Sequence, residues 1–344
     1  MTEALGRPPL PATYRAITVL SGGIGGARFI AGLLHALRGL PGPPARVTVV
    51  VNTADDIWLH GLKICPDLDT VMYTLGGGID VERGWGRTDE TWNARDELAA
   101  YGVEPTWFGL GDRDLATHLV RTRMLDAGYP LSAVTRALCE RWQPGVDMLP
   151  MTDDRVETHI VIDDADEPSG RRAVHFQEYW VRLHAEVPAH AVVPVGIDAS
   201  TPAPGVLAAI AEADVVIVPP SNPVVSVGTI LGVPGIRSAL RATPAPVVGL
   251  SPVVAGTHVR GMAAQVLAAI GVEVSAAGVA GHYGARSRGG VLDGWLVDTT
   301  DAGDVARVQA EGIACRAVPL MMTDVDATAT MALEALALVA GPRR

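Results

Sequence analysis

Two short β-branched runs open the pattern of the chain, residues 16–20 (Ala-Ile-Thr-Val-Leu) and 47–51 (Val-Thr-Val-Val-Val). A glycine cluster and an apolar stretch at 29–37 with helical spacing lie between them. Strand, glycine turn, helix and strand predict a βαβ unit. Uninterrupted apolar runs recur at 215–218 and 247–250, each followed by a Gly/Ser/Pro loop and a helix-like segment. Strands without polar alternation fit a parallel sheet covered on both faces, so the expected class is α/β with helices on each side of the sheet.

The pattern changes between residues 58 and 150, where Trp58, Trp85, Trp92, Trp107 and Trp142 fall among charged, helix-prone stretches. This stretch is expected to be an inserted, largely helical region lying over the end of the sheet. Residues 158–162 and 173–176 alternate as strands do, and 324–339 predicts a closing helix. With no internal repeat and no clear linker, the expected organisation is one domain over 16–344 behind an N-terminal tail at 1–15.

Composition narrows the function classes. The 344 residues are 48% hydrophobic and 19% charged, as a core-forming chain requires, and the net charge is −11. So acidic a chain lacks the basic footprint that binds nucleic acid. Lys63 is the only lysine beside 26 arginines, so a bound phosphate must be met by arginine, backbone N–H groups or a metal. Cys65, Cys139 and Cys315 form no C-x-x-C pair, which argues against a disulfide framework or structural zinc. No signal-peptide core and no 18-residue apolar run occurs, so a cytoplasmic protein with no membrane partner is expected.

Four loops carry candidate chemistry. Ser21-Gly22-Gly23-Ile24-Gly25-Gly26-Ala27-Arg28 follows the first strand and opens a helix. Glycines there serve either a tight strand-to-helix turn or close approach of backbone to an anion. Arg28 stands where the dinucleotide fingerprint needs its third glycine, and the Gly-Lys-[Ser/Thr] of a Walker loop is absent. Asn52-Thr53-Ala54-Asp55-Asp56 ends the second strand and Pro66-Asp67-Leu68-Asp69-Thr70 follows. Ligands of open α/β sheets bind beyond the carboxyl ends of strands. Four acids there call for a divalent cation, or serve as a general base, or in the case of Asp56 and Asp69 cap helices. Ser221, Asn222, Ser226 and Gly228 line a third such edge, and Gly256 and Arg260 lie beyond a fourth. The histidines show no ligand spacing, no G-x-S-x-G elbow exists, and an acyl-transfer triad is unsupported.

Taken together, Gly22-Gly-Ile-Gly-Gly-Ala-Arg28, Val51-Asn-Thr-Ala-Asp-Asp56, Pro66-Asp-Leu-Asp-Thr70, 109–118 (Gly-Leu-Gly-Asp-Arg-Asp-Leu-Ala-Thr-His), Pro219-Pro-Ser-Asn-Pro223 and 251–256 (Ser-Pro-Val-Val-Ala-Gly) resemble the 2-phospho-L-lactate transferase family. The likeness runs in order from about residue 17 to 335 and implies a Rossmann-like fold with an inserted helical region. It also implies a step in making the deazaflavin coenzyme F420. A guanosine diphosphate ester of lactate or enolpyruvate would donate its phosphoryl-carboxylate part to the ribityl hydroxyl of the deazaflavin FO, releasing GMP with the help of Mg2+. Many relatives are expected to carry lysine after the glycine at 256, where Thr257 stands here.

On that resemblance Asp55 and Asp67 are assigned to magnesium, and Asp56 or Asp69 to orienting the attacking hydroxyl. Gly22, Gly23, Gly25, Gly26 and Arg28, with Ser221, Asn222, Ser226, Gly228, Gly256 and Arg260, are assigned to the guanosine nucleotide. FO is expected against the insertion, near Asn52, Trp92, Asp112, Arg113 and Asp114, with Trp85 or Trp107 as further stacking surfaces. The arginine-rich composition leans toward the enolpyruvyl donor and dehydro-F420-0. A homodimer is expected. The competing classes are a non-catalytic nucleotide-sugar-binding regulator on the same sheet and a dinucleotide-dependent dehydrogenase, the latter opposed by Arg28.

Overall fold

The expected βαβ unit consists of β1 (Ala16–Ser21), α1 (Ile24–Arg38) and β2 (Arg46–Val51), with the two strands parallel and Val19 beside Val49. The computed structural model describes residues 14–258 and 262–340. After β2 come a hairpin of β3 (Ile57–Leu59) and β4 (Leu62–Ile64), then helices α2 (Pro66–Leu75), α3 (Asn93–Ala100), α4 (Asp112–Asp126) and α5 (Leu131–Trp142). Strand β5 (Asp147–Pro150) closes this stretch by pairing in parallel with β2. Residues 58–150 thus hold four helices and most of the β3–β4 hairpin, and end in a strand of the central sheet.

A separate antiparallel sheet follows, with β6 (Glu157–Asp163) between β7 (Arg171–His175) and β8 (Ala189–Val195). The chain then resumes the alternation with α6 (Val206–Ala211), β9 (Val215–Val218), α7 (Val227–Gly232), α8 (Ile236–Ala242) and β10 (Val247–Leu250). Where a loop was expected to run straight into a helix, a small hairpin of β11 (Val253–Val254) and β12 (Thr257–His258) intervenes. Helices α9 (Ala263–Ala269) and α10 (Ala276–Tyr283), β13 (Gly294–Val297), α11 (Val305–Ala310), β14 (Ala314–Ala317) and α12 (Val325–Leu338) complete the chain. The predicted closing helix begins where the Asp324 carboxylate accepts the Ala327 N–H at 2.7 Å, an N-cap.

The seven-stranded sheet has the order β14-β13-β10-β9-β1-β2-β5, parallel throughout. Alternation along each strand feeds two apolar layers. Ile17, Val19, Val49, Ile217 and Val248 face α1, α2, α5 and α12, whereas Leu20, Val50, Val216 and Val247 face α6, α7, α8 and α10. This is the expected α/β architecture, with helices on both faces. The sheet grows outward from β1 through β2 to β5, then from β9 through β10 and β13 to β14. The direction of growth reverses between β1 and β9, so the loops after these two strands leave a crevice at their carboxyl ends, where such sheets take ligands. Among the described residues no helix is long and apolar enough to cross a membrane.

Candidate active site

Strand β2 delivers Asn52 to the crevice, where its N–H donates to the Ser21 carbonyl at 3.0 Å. The buried Asn52 side chain is oriented by its oxygen, which accepts the Ala54 N–H at 3.0 Å and the Thr229 hydroxyl at 2.8 Å. Its amide nitrogen therefore faces the acids, donating to Asp55 Oδ2 at 3.0 Å and Asp67 Oδ2 at 2.9 Å. One amide thus bridges two carboxylates that lie apart in sequence. Asp67 reaches this point from the first turn of α2, which Pro66 starts in the usual way.

The two bridged carboxylates have no cationic partner among the described residues. Burial, with repulsion from Asp67, holds the Asp55 carboxyl well above its usual range. The Thr158 hydroxyl lies near enough to oppose that shift, yet Asp55 Oδ1 makes no hydrogen bond of normal geometry. Burial likewise raises Asp67 to about 7, opposed by the Asn52 amide and the Gly23 N–H. Asp56 and Asp69 are treated differently. Lys63 Nζ lies 3.2 Å from Asp56 Oδ2, and the Cys65 thiol donates to the same oxygen at 3.0 Å. Arg121 of α4 pairs with Asp69, His118 lies 3.7 Å from Asp69 and 3.4 Å from Asp114, and the Tyr73 hydroxyl donates to Asp114 at 2.6 Å.

Sequence reasoning named Asp56, Asp69 and Asp114 and noted Lys63 among the acids, but did not join them to His118 and Arg121 as one cluster. A signal was present: Asp114, His118 and Arg121 are spaced by four and three residues, so they share one face of a helix. That face turns inward, and His118 and Arg121 are buried.

The glycine loop packs against protein. A Cβ on Gly22 would lie 2.5 Å from Ser226 Oγ, and one on Gly25 would lie 2.6 Å from the Pro220 carbonyl oxygen. A Cβ on Gly26 would meet Ser21 and Ser221, and one on Gly23 would stand 2.5 Å from Asp67 Oδ1. The glycines therefore let the loops after β1 and β9 and the start of α2 close on one another. Helix α1 begins without a side-chain cap, and Arg28 is exposed one turn in from its start. Among the described residues Arg28 meets no carboxylate.

In the β9 loop, Ser221 Oγ accepts the Gly22 N–H at 3.2 Å. Asn222 Oδ1 accepts the N–H groups of Val224 and Val225, so this side chain builds the turn. Ser226 lies against Gly22, and Gly228 passes close to the Pro223 carbonyl. Gly256, with φ +71°, sits in the β11–β12 turn, where a Cβ would meet no atom within 4 Å. Arg260 lies outside the described residues.

Of the residues assigned to FO, Asn52 belongs to the carboxylate pair. Asp112 caps α3, accepting from Thr91, Asn93 and Ala94, and these donors hold its carboxyl at about 2. Asp114 belongs to the buried charge cluster and Arg113 is exposed. Trp92 and Trp85 flank the Arg83 guanidinium, with ring centroids 5.2 and 5.3 Å from it, and Arg95 lies over Trp92. Trp107 packs against Phe108. A cleft of about 260 Å³ opens between the β3–β4 hairpin and the loop after β5, lined by Thr53, Asp56, Trp58, Lys63, Leu131 and Arg155 among others.

Among the described residues no three His, Cys, Asp or Glu side chains are grouped to hold a metal ion. Two carboxylates, one with an unpartnered oxygen, still match the protein's share of a magnesium site, because that ion takes one or two carboxylates with ligand phosphates and water completing its shell.

Comparison with known proteins places these features. Residues 17–336 match the family model described as 2-phospho-L-lactate transferase CofD. A phosphoenolpyruvate transferase of Streptomyces avermitilis is 69% identical over 94% of this chain and 97% of its own. One of Streptomyces coelicolor is 67% identical with the same coverage, and one of Nocardia farcinica is 59% identical over 95% and 96%. Among solved structures, protein BH3568 of Bacillus halodurans superposes with a TM-score of 0.59 at 18% identity, covering 94% of this chain and 99% of that one. At that identity the superposition speaks for the fold.

Proposed function

The chain belongs to the 2-phospho-L-lactate transferase CofD family, and from that premise we propose that it moves a phosphoenolpyruvyl group from a guanosine diphosphate ester onto the ribityl hydroxyl of FO. The products are dehydro-F420-0 and GMP. The names of the similar Streptomyces and Nocardia proteins favour the enolpyruvyl donor over the lactyl one. In this step the hydroxyl oxygen attacks the phosphorus that bears enolpyruvate. The bond from that phosphorus to the bridging oxygen breaks, GMP leaves with that oxygen, and the hydroxyl loses its proton.

The observation that carries this reading is the pair of carboxylates, buried Asp55 and half-buried Asp67, joined by one amide at the switch point of the sheet with no cationic partner among the described residues. Such a pair awaits a positive partner. Asp55 and Asp67 would hold magnesium, which when bound supplies neutralisation of phosphate charge. The uncapped start of α1 and Arg28, which meets no carboxylate among the described residues, supply further positive potential to the donor's diphosphate. Asp56 takes the task of orienting the acceptor hydroxyl, because it borders the 260 Å³ cleft while Asp69 is committed to Arg121. Lys63 at 3.2 Å keeps Asp56 from repelling an incoming phosphate fully.

The test mixes the protein with FO, magnesium and each guanosine donor in turn, and follows GMP and a charged deazaflavin product. GMP release with the enolpyruvyl ester, and little with the lactyl ester, is expected. Donor binding without GMP release from either would replace this reading with that of a nucleotide-binding regulator.

A further inference from the structure

The loop that carries Asp55 and Asp56 is held from a direction that the chemistry above does not use. Three consecutive carbonyls, those of Ala54, Asp55 and Asp56, are each bonded to the antiparallel sheet or the residues that end it. The Thr158 N–H on β6 donates to Ala54 O at 2.6 Å. The Gln177 side-chain amide donates to Asp55 O at 3.0 Å. His175 Nε2 lies 3.1 Å from Asp56 O.

The hydrogen-bond pattern settles the imidazole's state. His175 Nδ1 accepts the Gln177 N–H at 3.1 Å, so this nitrogen carries no proton and Nε2 carries the one donated to Asp56 O. Gln177 thereby orients His175 through its main chain and holds Asp55 through its side chain. Both are remote in sequence from what they hold, by 119 and 122 residues. Gln177 is buried, and the groups facing His175 are Glu157, His159 and Lys63.

We propose that His175 and Gln177 are positioning residues, a main-chain clamp through which the β6–β7 sheet fixes the aspartate loop against α2. The physical need for a clamp lies in the carboxylate pair. Asp55 and Asp67 converge on the single Asn52 amide with no cation between them among the described residues, and a free loop would let Asp55 swing out of that convergence into solvent. Three bonded carbonyls remove this freedom, so the pair stays preorganised for a ligand. The inference deepens the transferase reading and rests on it for its kinetic consequence, whereas the clamp itself is measurable without turnover.

The experiment compares Gln177→Leu, His175→Phe and His175→Gln with the wild-type protein by amide hydrogen exchange and by steady-state kinetics. Exchange in peptides covering residues 53–58 should accelerate in Gln177→Leu and His175→Phe, while peptides from β1, β9 and β10 keep wild-type protection. On the reading that such outer partners tune a site, kcat should fall about 10- to 100-fold with KM for both substrates nearly unchanged. His175→Gln, which restores an N–H donor, should recover most of kcat and of the protection. Wild-type exchange in residues 53–58 of Gln177→Leu would overturn the clamp. So would equal damage in His175→Phe and His175→Gln, because the ring's packing would then be what matters. A wild-type protein that releases no GMP but still shows the exchange difference would remove the transferase reading and keep the clamp.

Discussion

Four aspartates lie in the two acid loops, and the fold sorts them into two regions with opposite electrostatics. Asp56 and Asp69 sit in a cluster with resident cations, Lys63 and Arg121, and with Cys65 and His118 as further partners. Asp55 and Asp67 share the neutral amide of Asn52 and have no cationic partner among the described residues. Both regions are built from the same residue type within fifteen positions, so the difference is one of partners. A compensated cluster knits the insertion helices to the hairpin and α2, whereas an uncompensated pair is held in readiness for a charge brought by ligand. Breaking each region should therefore produce a different kind of damage.

The largest effect is expected on the compensated side. Arg121→Met leaves Asp69 buried without its cation, which should cost about 3–5 kcal/mol of stability by denaturant unfolding. The double variant Arg121→Met/Asp69→Leu should recover part of that loss, and no recovery would mean that the pair does not act as a unit. On the uncompensated side, Asp55→Asn should lower GMP release by about 10²–10³-fold, the range seen when one preorganised electrostatic group is lost. Its unfolding midpoint should hold or rise, because a carboxyl group that is costly to bury in its charged form has been replaced by a neutral amide. Full turnover in Asp55→Asn would dismiss the assignment of Asp55 to the cation.

The contrast also has a pH signature. In protein freed of divalent cations, Asp67 keeps its proton up to about 7 when folded but only to its ordinary 3.8 when unfolded. Between these values the folded state binds more protons, so stability falls as pH rises, by at most about 1.4 kcal/mol per unit. Asp67 is half-buried and solvent lowers that ceiling. Asp67→Asn should flatten the slope between pH 4 and 7, and an unchanged slope would assign it to other groups. The smallest effect belongs to Cys65→Ala, which removes one bond to Asp56 and should cost about 1 kcal/mol in thermal unfolding while leaving the behaviour of Asp55 and Asp67 intact.

Much of the scaffold was legible because its signals are local. The runs at 16–20, 47–51, 215–218 and 247–250 each correspond to a strand of the central sheet, and the closing helix lies where its pattern placed it. The acid motifs were also legible as candidate chemistry, since they follow the ends of strands. The roles of the glycines were harder to read. Their motif fits a phosphate loop and a tight turn equally, and only the positions of Ser226, Pro220 and Asp67 reveal that protein fills the space beside them. His175 carried no signal, because a histidine that bonds a main-chain carbonyl needs no characteristic spacing.

The amino-acid order by itself determined the α/β class, the parallel strands, the glycine turn and the concentration of acids at the sheet's carboxyl edge. These follow from periodicity and backbone preference, which act over a few residues. Tertiary structure alone decided which acids are neutralised and which are left charged or protonated, and what holds their loop. Arg121 meets Asp69 from 52 residues away and Gln177 meets Asp55 from 122. Electrostatic compensation depends on distances of a few ångströms and on burial, and neither exists until the helices and the second sheet have packed against the first.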